Sequence, residues 1–231
     1  TGSNLTWHLV PRSASADGHG DIKGYLDERW PGILAMADNW TRADIGWYYW
    51  FSDEARPDQM EYVCAKAAGV EGSISIETSR VSLETLPQSR RMLETVGRWE
   101  RARLANAFSE TVRSKLREPQ ADFRLFPAPD GGWRLFRAKY EEPRVVAALD
   151  GEQNVWTIHN PLDRPCLLGV DIVRGGKPVP HADFDDPAAV TVETFDDVGE
   201  YQMSEHNDYE KFVVGDKKQL LDCGPVRQGV T

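Results

Sequence analysis

The stretch DIGWYYWF at residues 44–51 decides how the first half of the chain is interpreted. It is a continuous aromatic and apolar run between polar residues, and such a run predicts a buried strand. Residues 25–40 precede it with apolar side chains at steps of three and four, which predicts a helix that Pro31 breaks or kinks. A second helix follows the strand, with Pro57 in its first turn and Gly69 at its end.

Two further strands and a third helix extend this alternation. The short apolar run at residues 7–10 predicts the first strand, and the β-branched residues of 72–78 predict the third. Pro87 opens a helical pattern that is expected to continue to Leu116. Alternating strands and helices indicate parallel strands joined by right-handed crossovers, so residues 1–118 are predicted to form an α/β unit.

After Pro119 the apolar period changes from about four to two. A Pro-Asp-Gly-Gly turn at 129–132 lies between two alternating runs, which is a strong hairpin signal. Residues 119–180 are therefore predicted to form a small antiparallel β-sandwich, and 181–231 a linker and the start of a further β module. The additional strands are expected at 145–149, 155–159 and 167–173.

The composition excludes several classes of protein. The chain has 231 residues, 40% of them hydrophobic and 10% aromatic, which is unlike a disordered protein. A net charge of −10 argues against a nucleic-acid partner, and no apolar run reaches the roughly 20 residues of a membrane span. The three cysteines are widely spaced, and there is neither a metal-ligand motif nor a nucleotide-binding loop, so no metal and no cofactor are expected.

Three places in the predicted α/β unit contain residues suited to chemistry. The first is the glycine-rich loop with Asp17, His19 and Asp21. Its acids could transfer protons or bind sugar hydroxyls, because glycines let the backbone approach a ligand closely. The alternative is a turn whose aspartates cap backbone amides and the next helix.

The second place is the end of the aromatic strand, with Trp47, Tyr49 and the following Asp53. Aromatic rings stack on sugar rings, but the alternative is a packed strand whose rings face helices. The third is Glu77 at the end of the third strand, where burial would raise the pKa of its carboxyl. Its alternative is a Glu77–Arg80 ion pair.

The predicted third helix also bears five arginines. They alternate with Glu94 and Glu100, so a solvated outer face is expected rather than a binding patch for anions. The five are Arg90, Arg91, Arg98, Arg101 and Arg103.

Together, the sequences at 16–27, 45–49, 57–62 and 73–78 resemble the C-terminal part of a multi-domain bacterial glycoside hydrolase. The resemblance implies the last three βα units of a TIM barrel, then a β-sandwich and the start of a galactose-binding-like module. The expected fold is thus α/β followed by all-β, with a partial (β/α) barrel-like segment. The resemblance departs from a complete barrel, because five βα units and the carboxylate that often follows the fourth strand are missing.

The resemblance also implies a function, the hydrolysis of glycosidic bonds in an oligo- or polysaccharide. Asp17 would be the general acid and Glu77 the second carboxylate. The missing remainder of the polypeptide is a further candidate partner, and an extracellular or periplasmic location is favoured. A non-catalytic carbohydrate-binding or scaffold module and a polysaccharide lyase stay open as alternatives. The candidate substrate-binding residues are Arg12, His19, Asp21, Trp47, Tyr49 and Asp53.

Overall fold

The computed structural model describes the secondary structure of most of the first 146 residues and of shorter segments beyond them. The described ranges are 12–15, 21–39, 44–49, 55–86, 88–128, 131–146, 156–157, 167–175, 191–192, 199–210, 212–214 and 219–221. The helices within these ranges are α1 Ile22–Asn39, α2 Pro57–Gly69, α3 Arg80–Thr85, α4 Ser89–Leu104 and α5 Glu110–Leu116. The strands are β1 Arg12–Ser15, β2 Asp44–Tyr49, β3 Ser73–Glu77, β4 Asp122–Pro127, β5 Trp133–Tyr140, β6 Arg144–Val146, β7 Trp156–Thr157, β8 Leu167–Gly175, β9 Thr191–Val192, β10 Gly199–Glu210, β11 Phe212–Val214 and β12 Gln219–Leu221.

The first three strands form a parallel sheet in the order β1-β2-β3. α1 connects β1 to β2, and α2 connects β2 to β3, so right-handed crossovers place both helices on the same face of the sheet. The first strand lies at 12–15, later than the predicted 7–10, which falls outside the described residues. Pro31 lies inside α1 without ending it, and the helix continues to Asn39.

The predicted single helix from Pro87 to Leu116 is replaced by shorter helices, because polar caps and a backbone reversal interrupt it. Ahead of this region a separate short helix, α3, already begins at Arg80, where the Ser79 side chain caps it by accepting a hydrogen bond from the Ser82 amide at 3.0 Å. Asn106 has a φ of 52° between α4 and α5, a conformation that a helix interior cannot contain. Ser109 then caps α5.

The second sheet is antiparallel and contains five strands in the described part of the chain. Its order is β4-β5-β10-β6, and β8 also pairs with β10. The turn predicted at 129–132 joins β4 to β5, with Gly131 at a φ of 86°. The central strand β10 comes from residues 199–210, which the sequence assigns to a following module. A partial barrel followed by a sandwich stays a prediction.

One hydrophobic core connects the helices with the hairpin β4–β5. Leu26 in α1, Ile45 in β2 and Trp99 in α4 are fully or almost fully buried in it, together with Phe123 in β4. Trp99 stacks on Phe108 with ring centroids 5.7 Å apart. The predicted boundary between residues 118 and 119 therefore divides segments that share a core.

Helix α2 lies at the centre of this arrangement. All thirteen of its residues are buried, and it contacts α1, α4, α5 and the strands β2, β3 and β4. Asp58, Glu61 and Lys66 are therefore charges in a protein interior, where each one needs a partner to offset the loss of hydration.

Candidate functional site

The carboxyl ends of the parallel strands bring two of the predicted site residues together. Tyr49, the last residue of β2, is paired in register with Glu77, the last residue of β3. β1 ends at Ser15, and the segment with Asp17 continues from this same edge. Arg12 is paired with Asp44 at the opposite end of the sheet, so the sheet separates it from Glu77 along the strand direction.

The other predicted residues are distributed as follows. Trp47 lies in β2 within a register shift between Ile45 and Tyr48, so regular alternation is interrupted there. Asp17, His19 and Asp53 lie outside the described residues. The structure thus places only Tyr49 and Glu77 of the predicted set at one edge.

Asp21 has the role of a helix cap. Its Oδ1 accepts a hydrogen bond from the Gly24 amide at 2.9 Å, in the first turn of α1. A Cβ at position 24 would lie 2.2 Å from Asp21 Oδ2, so the cap in this form needs glycine there. The capping alternative for this loop therefore applies to Asp21. The alternative for Glu77 was an ion pair with Arg80, and Arg80 instead pairs with Glu84.

A second group of polar residues was missed by the sequence analysis. This group, the Lys23 cluster, consists of Lys23, Arg56, Asp58, Asp122 and Tyr140. Lys23 Nζ lies 2.7 Å from Asp122 Oδ1 and 2.9 Å from Asp58 Oδ2, and 4.7 Å from the centroid of the Tyr140 ring. Arg56 Nε lies 3.4 Å from the second oxygen of Asp58. Two carboxylates thus face each other across one ammonium group.

Burial changes the acidity of this cluster. It raises the pKa of the Asp122 carboxyl, and the charge of Lys23 opposes that effect without cancelling it. Burial likewise raises the pKa of Tyr140 well above its usual value, so the phenol stays neutral. The cluster therefore combines a carboxyl that binds its proton more tightly than usual with a neutral hydroxyl and two cations.

Two further sets of buried hydrogen bonds join α2 to α1 and to the end of α5. Tyr62 donates its hydroxyl proton to Asp27, and the Gln120 amide donates to the Tyr62 oxygen at 3.0 Å. Lys66 donates to the carbonyls of Leu116 and Glu118, near the C-terminus of α5. Burial lowers the pKa of Lys66 to about 8, despite the nearby acids.

A buried ion-pair ladder lies between α2, α4 and the antiparallel sheet. Glu61 accepts a hydrogen bond from Arg98 at 2.5 Å and another from the Trp99 indole. Arg124 in β4 lies between the carboxylates of Glu61 and Asp171, with Nη1 3.0 Å from Asp171 Oδ2. Burial alone would lower the pKa of Arg124, but the negative charges around it, above all Asp171, raise it, so this arginine stays charged.

The ladder corrects the prediction of a solvated outer face for the arginines of α4. Arg90 is exposed and pairs with Glu94, as predicted. Arg91 instead contacts Asp171 in β8, and Arg98 reaches Glu61 in α2. Sequence periodicity did not distinguish these arginines, because their partners lie 37 and 80 residues away along the chain.

A signal for the buried charges was present in α2. Ala65, Ala67 and Ala68 surround Lys66 with small residues on several sides, which is typical of a helix enclosed by its neighbours. Asp58, Glu61 and Lys66 would then have been recognised as paired interior charges. Cys64 in the same helix is buried and free, and burial raises the pKa of its thiol, so it is a poor nucleophile.

The described residues contain no group of three or more histidine, cysteine, aspartate or glutamate side chains that could hold a metal ion. Among the same residues, none of the helices is long and apolar enough to cross a membrane. Compared with known proteins, the chain matches no family model, no curated protein and no solved structure. Function is therefore argued from the two sites themselves.

Proposed function

We propose that the chain is part of a carbohydrate-active enzyme that hydrolyses glycosidic bonds at the carboxyl ends of its parallel strands. The observation that supports this is the in-register pairing of Tyr49 with Glu77 at that edge. An aromatic residue that can stack on a sugar ring and a carboxylate that can take part in hydrolysis are then neighbours on adjacent strands.

The order of the strands supports the choice of this edge. A sequential order β1-β2-β3 with both helices on one face is the arrangement of a barrel segment, and it is also that of one half of a doubly wound sheet. In both architectures ligands bind at the carboxyl ends of the strands. The segment that contains Asp17 starts at this end of β1.

In the proposed reaction Asp17 protonates the glycosidic oxygen, and the bond from this oxygen to the anomeric carbon breaks. Glu77 either attacks the anomeric carbon directly or activates a water molecule that does so. In the first case water later hydrolyses the glycosyl-enzyme and Asp17 takes the proton of that water. The distance between the two carboxylates selects between these routes.

The test compares two variants with a matched control. Asp17→Asn and Glu77→Gln are each expected to lower the release of reducing sugar from a polysaccharide panel at least 100-fold, with an unchanged circular dichroism spectrum. Glu94→Gln, an exposed carboxylate on α4, is expected to keep full activity. The experiment uses the natural full-length protein. Hydrolysis that persists in both variants, or is absent from the wild type, would reject the proposal.

A further inference from the structure

The outward face of helix α4 is a surface that the proposed hydrolysis does not use. Residues three and four apart lie on the same face of a helix, which has 3.6 residues per turn. One face of α4, with Met92, Trp99 and Ala102, is buried in the core, and Gly97 lies at the centre of the opposite face. This opposite face is called the α4 stripe. Its members are Arg90, Leu93, Glu94, Gly97, Arg101 and Leu104.

Two leucines of the α4 stripe are largely exposed. Leu93 is 44% exposed and Leu104 is 69% exposed, and they lie on either side of Gly97. A groove of about 470 Å³ lies beside Leu93, between α4 and Leu83 of α3. Single exposed leucines are common on protein surfaces, but two that are aligned along one helix face, next to a groove, indicate a contact surface.

The packing of the described residues does not require a glycine at position 97. Glycine in a helix interior is destabilising relative to alanine, because its backbone loses more freedom on folding. A Cβ at this position would meet the flexible end of Arg101, 3.4 Å from Nη1, and no atom of another element within 4 Å. The fold thus has room for a side chain here. What the glycine provides is a low point in the middle of the α4 stripe, which a second helix can approach closely.

The charges of the α4 stripe indicate what that second helix is. Arg101, one turn after Gly97, forms no ion pair with a described residue. Glu94, about one turn before Gly97, is 60% exposed in its pair with Arg90. Where two copies of α4 cross antiparallel at Gly97, Arg101 of each copy therefore lies beside Glu94 of the other. The α4 stripe is complementary to itself, as the interface of a two-fold symmetric dimer must be.

The net charge of the chain limits where two copies can meet. At a net charge of −10 two copies repel each other over most of their surfaces. The α4 stripe departs from this average, because Arg90 and Arg101 outnumber the single carboxylate of Glu94. A strongly acidic partner would bring like charge to Glu94, whereas a second copy brings an arginine to it.

We propose that the α4 stripe is the interface of a homodimer in which two α4 helices cross antiparallel at Gly97. Leu104 of each copy enters the groove beside Leu93 of the other, and Arg101 pairs with Glu94 across the two-fold axis. One helix face is a small interface, so the dissociation constant is expected to be about 10 μM. The dimer does not depend on the proposed hydrolysis.

Charge reversal tests the pairing across the axis. Glu94→Arg and Arg101→Glu each place like charges side by side, so each is expected to weaken the dimer at least tenfold in sedimentation equilibrium of the natural full-length protein. An equimolar mixture of the two variants restores both opposite-charge pairs and is expected to form a heterodimer with about the wild-type affinity. The controls Glu28→Arg and Arg29→Glu reverse exposed charges of α1 and are expected to dimerise as the wild type does.

Gly97→Gln separates the close approach of two helices from the stability of one. Glutamine favours helix more than glycine does, so the melting temperature of the dilute monomer is expected to rise. The dimer is expected to weaken at least tenfold, because the side chain fills the low point of the α4 stripe. A glycine with a purely structural role would not show this combination.

Three results would overturn the inference. The first is a wild-type protein that stays monomeric up to about 300 μM. The second is undiminished dimerisation of Glu94→Arg, Arg101→Glu or Gly97→Gln. The third is a mixture of the two charge-reversal variants that stays monomeric.

Discussion

Helix α2 makes two unlike joints with the sheets on either side of it. The apolar joint, with α1 and the parallel sheet, is built from aliphatic side chains such as Ile33, Ile45 and Ile74. The charged joint, with α4 and the antiparallel sheet, is the ladder in which Glu61 and Asp171 lie on either side of Arg124. Both joints are buried, but the first has an ion pair, Lys23–Asp58, only at its partly exposed end, whereas the second is an extended ladder of buried ions.

The difference shows what each joint specifies. Apolar contact is not directional, and many small shifts of one surface over another keep most of its energy. A buried ion pair is favourable only when the geometry is good, so a displaced strand would leave charges without partners. We interpret the charged joint as the contact that fixes the position of β8 and β4 relative to α4.

The largest expected effect is in the charged joint. Arg124→Met leaves Glu61 and Asp171 near each other in the interior without the cation between them. Breaking a buried pair from one side is expected to lower the free energy of unfolding by about 4 kcal/mol, measured by urea titration. Arg90→Met breaks only an exposed pair and should cost less than about 0.5 kcal/mol. Equal losses in the two variants would contradict the comparison.

The second effect concerns Lys66, the buried cation of α2. Its pKa of about 8 in the folded chain is below the ordinary value of 10.5, so the folded state binds this proton less tightly than the unfolded state. Above pH 10.5 Lys66 is neutral in both states and does not weaken the fold. As the pH falls from 10.5 towards 8, the unfolded state takes up this proton first, and the free energy of unfolding decreases.

The free energy of unfolding of the wild type, relative to Lys66→Met, should rise by about 3 kcal/mol between pH 7.5 and pH 10.5. Urea titrations of both proteins at the two pH values measure this difference. The contributions of ionisable groups that both proteins contain cancel in the comparison. Parallel pH profiles would mean that Lys66 keeps its proton in the folded chain.

The smallest effect belongs to the apolar joint. Ile45→Val removes one buried methylene group and should lower the free energy of unfolding by about 1 kcal/mol. The loss should be the same at low and high salt, because no charge is involved, whereas the small penalty of Arg90→Met should shrink at high salt, because that ion pair is exposed. A salt-dependent loss in Ile45→Val would show that the two joints are coupled.

The apolar joint was the more predictable of the two. The run at 44–51, the helix before it and the helix after it were located from periodicity, because a buried face repeats its apolar residues at the period of the element. The hairpin around 129–132 was equally local, since a turn is specified by its own residues. The division of residues 87–116 into two helices depended on Asn106, and its positive φ could not be predicted from the hydrophobic pattern.

The charged joint and the Lys23 cluster could not be predicted in the same way. Arg98 in α4 and Arg124 in β4 are ordinary surface residues by sequence rules, and only the folded chain brings them to Glu61. Long-range pairing also placed β10 at the centre of the antiparallel sheet, although the proline- and aspartate-rich stretch before it suggested a linker. For the candidate site, the pairing of Tyr49 with Glu77 needed the register of two strands that periodicity alone does not give.

The enclosure of α2 has a practical consequence for anyone who dissects this protein. A recombinant piece that stops at residue 118 would lack Asp122 and Arg124, so Asp58 and Glu61 would be exposed to water without these partners. The piece that starts at residue 119 would expose the apolar side chains of Phe123 and Leu125. Neither piece is expected to remain soluble and folded alone. Expression trials should therefore keep β1 to β10 in one piece, because Arg124 also needs Asp171 in β8, and β5 and β6 both pair with β10.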